Sequence, residues 1–429
     1  MAHYFIFPEA DTTLYSHPDR TLMNSGYDEV LELVQEPGST TPYNYPSRIL
    51  IKFPNENISK ALDLIGHEDW MKKFPKIQHT ASVNLQLTVA NAKNLASVHL
   101  LQAYAVSQSW DEGTGKFLNQ PTGSNGTSWE FRDNSITQTQ WVSSSCVDCF
   151  GHSSVTGGVH GGTGSLDSTT DGVEISDFVM RGGGTYYTGS AFKATQQFLP
   201  GDDLDTNFDV KRIVQFWSAS INNGGTYAMA SLDGEFEKYL VGIPNYGFLI
   251  KAVNSIESNL SSSFGEIQYF STDTHTIYPP KLTFKWDDHV YGPEIPPTIF
   301  NSSHNLHLSI YNNKEQYNQN DIATFRLHIR EKYPERNFTN TSNYLNAGIF
   351  GDGEAYYSIR DAHSERVIIP FDNYTQLSAD INGMYFKLHM AGLQPERYYR
   401  ILFKHQESDK GTITYSTIYD DDYYFKVVR

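Results

Sequence analysis

Between Arg48 and Phe53 the chain reads RILIKF, with Ile49, Ile51 and Phe53 alternating with Leu50 and Lys52. Strand side chains point alternately to opposite faces, so a run that is apolar on nearly every position needs cover on both sides. It belongs at the centre of a packed β-structure. The same period returns further on. Val83, Leu85, Leu87 and Val89 alternate with Asn84, Gln86 and Thr88, which predicts a half-buried strand, and Val98 to Val106 predicts another. Helical spacing occurs in Asn57 to Ile65 and in Val210, Ile213, Val214 and Trp217, the latter behind a capping Asp209. The chain is therefore read as all-β, with a short helix closing one end of a sandwich. Trp217 and Trp286 are expected in the core, and Asn24-Ser25-Gly26 is expected to be a turn between strands.

Composition narrows the partners. The 429 residues imply two or three domains, and 39% hydrophobic content suffices for ordinary cores. Charged residues are only 19% while Tyr (28) and Phe (25) abound, a balance that suits strands and aromatic-rich surfaces. A formal net charge of −17, with no Lys/Arg run to offset it, argues against nucleic acid and against an anionic membrane surface. No stretch approaches the roughly 20 apolar residues that span a bilayer, so no membrane insertion is expected. The start, MAHYFIFPEADTT, has neither a basic head nor a sustained apolar core and is not read as a signal peptide. Two cysteines provide no disulfide framework.

Several short motifs occur in a definite order: ADTTLYS (Ala10 to Ser16), MNSG (Met23 to Gly26), RILIKF and SWDEGTG (Ser109 to Gly115). After a long polar, glycine-rich excursion come FDVKRIVQFW (Phe208 to Trp217), PNYGFLIK (Pro244 to Lys251) and YPPKLTFKW (Tyr278 to Trp286). In that order the segments resemble the DNRLRE family, over about two-thirds of the chain, with the specificity carried by order rather than by any one piece. The resemblance implies a jelly-roll-like β-sandwich related to carbohydrate-binding domains. Such a module is expected outside a cell. Either a leader has been removed, or the protein leaves its host cytoplasm by assembly into a particle released by lysis. GMYFKLHMAGL and PERYYRILFK near the C-terminus are similar to structural proteins of marine tailed phages, which implies the second route and a virion location.

Residues 1–288 are read as the jelly-roll-like sandwich, with a Gly/Ser-rich insertion near 143–190, and residues 289–300 as a linker containing Pro293, Pro296 and Pro297. Residues 301–429 are read as a second, Ig/fibronectin-like β-sandwich. Leu393, Pro395 and Tyr399 match the L-x-P-x-x-x-Y spacing of fibronectin type III-like tyrosine corners, where a tyrosine hydroxyl ties back to upstream backbone. Strands are expected around Leu306 to Tyr311, Ala323 to Ile329, Tyr385 to Met390, Ile413 to Tyr415 and Tyr423 to Val428.

Site chemistry is sparse. Cys146 and Cys149 have C-x2-C spacing, with His152 and His160 near enough to complete a tetrahedral zinc set, although a Gly/Ser loop also carries such residues without a metal. Asp203, Asp205, Asn207 and Asp209 fail the EF-hand pattern at Phe208 and Val214 and read as a polar turn. Asp420, Asp421 and Asp422 read as a hairpin tip. Asp111 and Glu112 are adjacent, so on a strand they face opposite ways and do not form a working carboxylate pair. No G-x-S-x-G, H-E-x-x-H or P-loop is present, and the chain is read as non-enzymatic. Trp110, Trp129, Trp141, Tyr186 and Tyr187, with Tyr227, sit in or near loops and are the candidates for stacking on sugar rings.

The expected function is a structural or decoration component of a tailed-phage virion that contacts other virion proteins, forms a homo-oligomer and touches host-surface polysaccharide. The alternatives are a carbohydrate-binding module of a secreted or cell-surface protein and, third, a polysaccharide-active enzyme. Self-association is expected through the tyrosine pairs Tyr356-Tyr357, Tyr398-Tyr399 and Tyr423-Tyr424.

Overall fold

The computed structural model describes the chain except for residues 1, 38–43, 66–80, 117–124, 136–137, 142–158, 161–181, 188–189, 223–225, 230–237, 242, 258–264, 293–297, 303–304, 335–346 and 410–411. Residues 159–160, 219, 221–222, 226–229, 238–241, 254–255, 408–409 and 412–414 are described by backbone alone. The fold is all-β, as the alternating runs require. It divides into two compact units. One holds Ile6–Gln78 and Ser82–Thr283; the other holds Met1–Phe5, His79–Ala81 and Phe284–Arg429. The first five residues, placed with the first domain by the sequence reading, thus cluster with the C-terminal unit. The three linker prolines lie outside the described residues.

The larger unit is built on an antiparallel sheet in the order Lys193–Phe198, His99–Ala105, Phe248–Ala252, Asn44–Lys52, Val30–Pro37, Glu266–Phe270, Val89–Lys93, with Ala10–Tyr15 also paired to Asn44–Lys52. RILIKF lies in its middle, where Ile49, Leu50 and Ile51 are all buried because both faces are covered. Ala81–Leu87 alternates buried and half-buried positions and pairs with Thr206–Asp209. The two expected helices are Asn55–Ile65 and Lys211–Asn222. Asp209 Oδ1 accepts from the Lys211 amide at 3.1 Å, and Trp217 packs against Phe248 with ring centroids 4.6 Å apart. A short helix at Asn254–Glu257 gives no periodic signal at four residues and was missed. Among the described residues no helix is long and apolar enough to cross a membrane.

The C-terminal unit packs two sheets over one core. One runs Leu306–Ile310, Ile322–Glu331, Gly383–His389, Ser378–Asp380; the other Gln316–Asn318, Thr412–Val428, Arg397–Asp409, Ala355–Asp361, Val367–Ile369. Phe325, Phe386, Tyr357, Phe403, Phe425 and Trp286 are buried, and Phe5 joins this core. The tyrosine corner forms: Tyr399 Oη donates to the Gln394 carbonyl at 3.0 Å. Tyr399→Phe is expected to cost about 1–2 kcal/mol in urea unfolding, because the buried ring stays and one hydrogen bond is lost. An unchanged midpoint would show the corner to be ornamental.

Asp420, Asp421 and Asp422 are not a hairpin tip. They bulge from one continuous strand, Thr412–Val428, where the register shifts between Ile401 and Phe403 on its partner and Asp422 takes φ 56°. Arg400 sits across the bulge and pairs with Asp420, which is why three consecutive acids are tolerated inside a strand.

Candidate functional site

The motifs that stood apart in sequence meet in the larger unit. Asp11 and Thr13 lie on the edge strand Ala10–Tyr15. The Thr13 amide donates to Ser25 Oγ at 3.0 Å, and Ser25 Oγ donates to the Thr13 carbonyl at 2.9 Å. Asn24 is the hub of the second motif. Its Nδ2 donates to the carbonyls of Glu112 (2.6 Å) and Thr127 (2.8 Å), and its Oδ1 accepts from the Gly115 amide at 2.7 Å. A Cβ on Gly115 would lie 2.2 Å from the Asn24 carbonyl oxygen, so only glycine admits this approach. The turn expected between the strands forms, with the Asp28 amide donating to the Ser25 carbonyl at 3.1 Å, but MNSG is held by side-chain hydrogen bonds and close contact, since neither Asn24 nor Gly26 has a positive φ.

At the rim of this clamp two carboxylates come together. The Asp11 amide donates to Glu112 Oε1 at 2.8 Å, while Asp11 Oδ2 accepts from the amide and hydroxyl of Thr272 at 2.7 and 2.8 Å. Asp11 Oδ1 is buried with no hydrogen-bond partner. Burial pushes Asp11 up to about 7 against the pull of the Thr272 bonds, with help from the charges of Glu112 and Asp273. Glu112 rises to about 7 as well, first by burial and then by Asp273, Asp111 and Glu9, against the Asp11 amide bond. Asp11 and Glu112 thus meet although 101 positions separate them in sequence. Among the described residues no set of three or more His, Cys, Asp or Glu side chains is arranged to hold a metal.

The raised pair has a pH signature. An acid whose folded pKa lies above its unfolded value holds its proton longer in the folded state, so its stabilisation is complete below about pH 4 and falls away as pH rises towards 7. Going from pH 5 to 8, the chain is expected to lose about 1–3 kcal/mol of unfolding free energy through Asp11. Asp11→Asn should flatten that slope in denaturant titrations at each pH. An identical slope in the variant would place the titration elsewhere.

Deeper in the same unit lies a buried ion triad. Arg48 Nε and Nη2 donate to Glu257 Oε1 and Oε2 at 3.1 and 3.0 Å, its Nη1 donates to the Gly183 carbonyl at 2.8 Å, and its guanidinium lies 4.9 Å from the Trp129 ring centroid. Lys251 also pairs with Glu257 and lies 5.9 Å from the Tyr186 ring. Burial pulls Lys251 down to about 8 although Glu257 opposes it. Burial pushes Glu257 up, but Arg48 and Lys251 together hold it below the usual carboxylate range. The Gly182-Gly183-Gly184 run, all at positive φ, wraps Trp129: a Cβ on Gly182 would lie 2.0 Å from the Trp129 carbonyl oxygen. Its glycines serve this packing around a side chain.

The five aromatic residues expected to offer faces to a sugar are buried instead. None of Trp110, Trp129, Trp141, Tyr186 and Tyr187 is more than 9% exposed. Trp110 Nε1 donates to the Tyr246 carbonyl and Trp141 Nε1 to the Ser128 carbonyl, at 2.8 and 3.0 Å, and all but Tyr187 share one apolar cluster with Leu14, Leu50 and Leu249. Loop position misled because this irregular backbone folds back over the sheet and needs an apolar filling of its own. Tyr227 is described by backbone alone. Cys146, Cys149 and His152 lie outside the described residues; His160 is described by its backbone, in a strand pair with Tyr186.

The triad and the acid pair escaped sequence reading because their members are far apart, Arg48 and Glu257 by 209 positions and Asp11 and Glu112 by 101. A signal existed. Arg48 opens RILIKF and Lys251 follows GFLI, and a cation inside an apolar strand demands a buried counter-ion. A scan against protein-family models gives no match to this chain, and a search of curated proteins gives no match either.

Proposed function

We propose that the chain is a non-catalytic structural component of a tailed-phage virion, an accessory or decoration protein of capsid, neck or tail that works through contacts with other virion proteins. One contrast carries the reading. In the larger unit the motif residues are spent on one another, in hydrogen bonds and buried ion pairs that hold loops onto a sheet. Among the described residues the C-terminal unit displays most of the exposed large apolar side chains, including Tyr311, Tyr333, Ile381, Tyr398, Tyr415 and Ile418, while the larger unit has fewer, such as Val98 and Leu199. Exposed aromatic and β-branched side chains on a chain poor in charge are material for protein interfaces. Any contact with host polysaccharide falls to rings other than the five buried ones. A glycan array with the purified full chain tests the reading against its main rival: it predicts no strong retention on any glycan, and tight, saturable binding would favour a carbohydrate-binding module instead.

A further inference from the structure

Two carboxylates meet beside the Asn24 clamp with no basic side chain to balance them. Asp11 is fully buried, and its carboxylate is fixed through one oxygen only: Oδ2 accepts both bonds from Thr272, while Oδ1 has no partner. Glu112 is fixed in the same way. Its Oε1 accepts from the Asp11 amide, and among the described residues its Oε2 takes no hydrogen bond and no ion pair. That 2.8 Å bond sets the Glu112 carboxylate against the backbone of Asp11 itself, so each acid contributes one anchored oxygen and one uncommitted oxygen to the same small region.

The surrounding charges add to the imbalance. Those that act most on Asp11 are Glu112 and Asp273, and those that act most on Glu112 are Asp273, Asp111 and Glu9. Basic groups in the neighbourhood serve other acids: Lys52 pairs with Glu9 at 2.7 Å, and Lys116 and His275 act on Asp273. A buried carboxylate oxygen with neither a hydrogen bond nor a counter-charge is costly, and proteins resolve it by pairing or by coordinating a metal. We propose that Asp11 Oδ1 and Glu112 Oε2 bind a divalent cation, and that the cation is calcium.

Donor chemistry selects the ion. Among the described residues no third acid, histidine or cysteine joins the pair, so the protein offers oxygen alone and nothing that favours zinc. Magnesium keeps several of its waters in a near-ideal octahedron, which suits poorly an oxygen as buried as Asp11 Oδ1. Calcium accepts six to eight oxygens in irregular array, backbone carbonyls and waters included, and two carboxylates place the site in the weak class, with a dissociation constant of about 0.1–1 mM. The scaffold is already rigid: Asn24 holds the Glu112 carbonyl at 2.6 Å and the Gly115 amide at 2.7 Å, and Thr272 orients Asp11. A bound ion would tie the edge strand Ala10–Tyr15 to the segment that carries Glu112. The site goes beyond the virion reading and does not depend on it.

Equilibrium dialysis of the full chain against radiocalcium, after metal is stripped with chelator, tests the site together with thermal unfolding in calcium and in chelator. The wild type should retain one ion at this site, and a hundredfold excess of calcium over the dissociation constant should raise the unfolding midpoint of the larger unit by about 5–10 °C. Equal magnesium should do much less. Glu112→Gln and Asp11→Asn should each abolish both effects, whereas Asp111→Asn, one position away with its side chain exposed, should keep them. Glu112 is only half-buried, so Glu112→Gln is expected to keep the near-ultraviolet circular dichroism of the wild type and decides the matter if Asp11→Asn does not fold. A wild type that takes up no calcium overturns the proposal and leaves the pair balanced by protons or water alone. It is equally overturned by binding that survives Glu112→Gln, or by losses as large in Asp111→Asn, which would mark diffuse attraction to an acidic surface.

Discussion

Deletion of residues 1–5 is expected to unfold the C-terminal unit, because Phe5 is part of its core. Phe5 lies in the cluster with Phe325, Phe386 and Tyr399, and Tyr4 meets the His389 ring edge-on with centroids 6.0 Å apart. Gly392 accommodates the strand, since a Cβ there would lie 2.6 Å from the Phe5 amide nitrogen. Replacing a buried phenylalanine by alanine costs about 3–5 kcal/mol, a large share of the roughly 5–15 kcal/mol that holds a domain together. Phe5→Ala should therefore lower the unfolding free energy of this unit by that amount. The deletion should raise amide exchange across Ile322–Glu331 and Gly383–His389 while Ala10–Tyr15 stays protected. A fragment of residues 298–429 should fail to fold alone. Native-like exchange protection in that fragment would contradict the account.

The second large effect belongs to Glu257. Its removal leaves Arg48 and Lys251 buried with no anion between them, and breaking a buried pair from one side costs about 3–5 kcal/mol. Glu257→Ala is expected to destabilise the larger unit by that order. Lys251→Met should cost far less, because the bidentate Arg48–Glu257 pair survives and an apolar chain of similar length replaces a cation that burial already draws down to about 8. Denaturant unfolding of both variants gives the comparison. Equal losses would mean that Lys251 is as essential to the buried triad as Glu257, against the surviving bidentate Arg48–Glu257 pair.

What could be read from the sequence was local. RILIKF announced a doubly covered strand because side-chain alternation is a property of the backbone, and the tyrosine corner was legible because its hydrogen bond closes within five residues. The turn expected at Asp420 to Asp422 failed because a lone acidic triplet looks the same in a turn and in a bulge; the difference is made by Arg400, twenty positions earlier on the facing strand. Aromatic side chains near loops were given to sugars because sequence shows irregular backbone but not whether that backbone is folded over a core. The clamp at Asn24 and the pair Asp11–Glu112 depend on contacts between distant segments, which one sequence cannot register.

Mass spectrometry of density-gradient-purified particles from the source of this sequence tests the central claim most directly. A virion component should be recovered there at a fixed ratio to the major capsid protein, and at the same ratio after the particles are washed in high salt. Its absence from intact particles, with the chain recovered only as free protein, would contradict the claim.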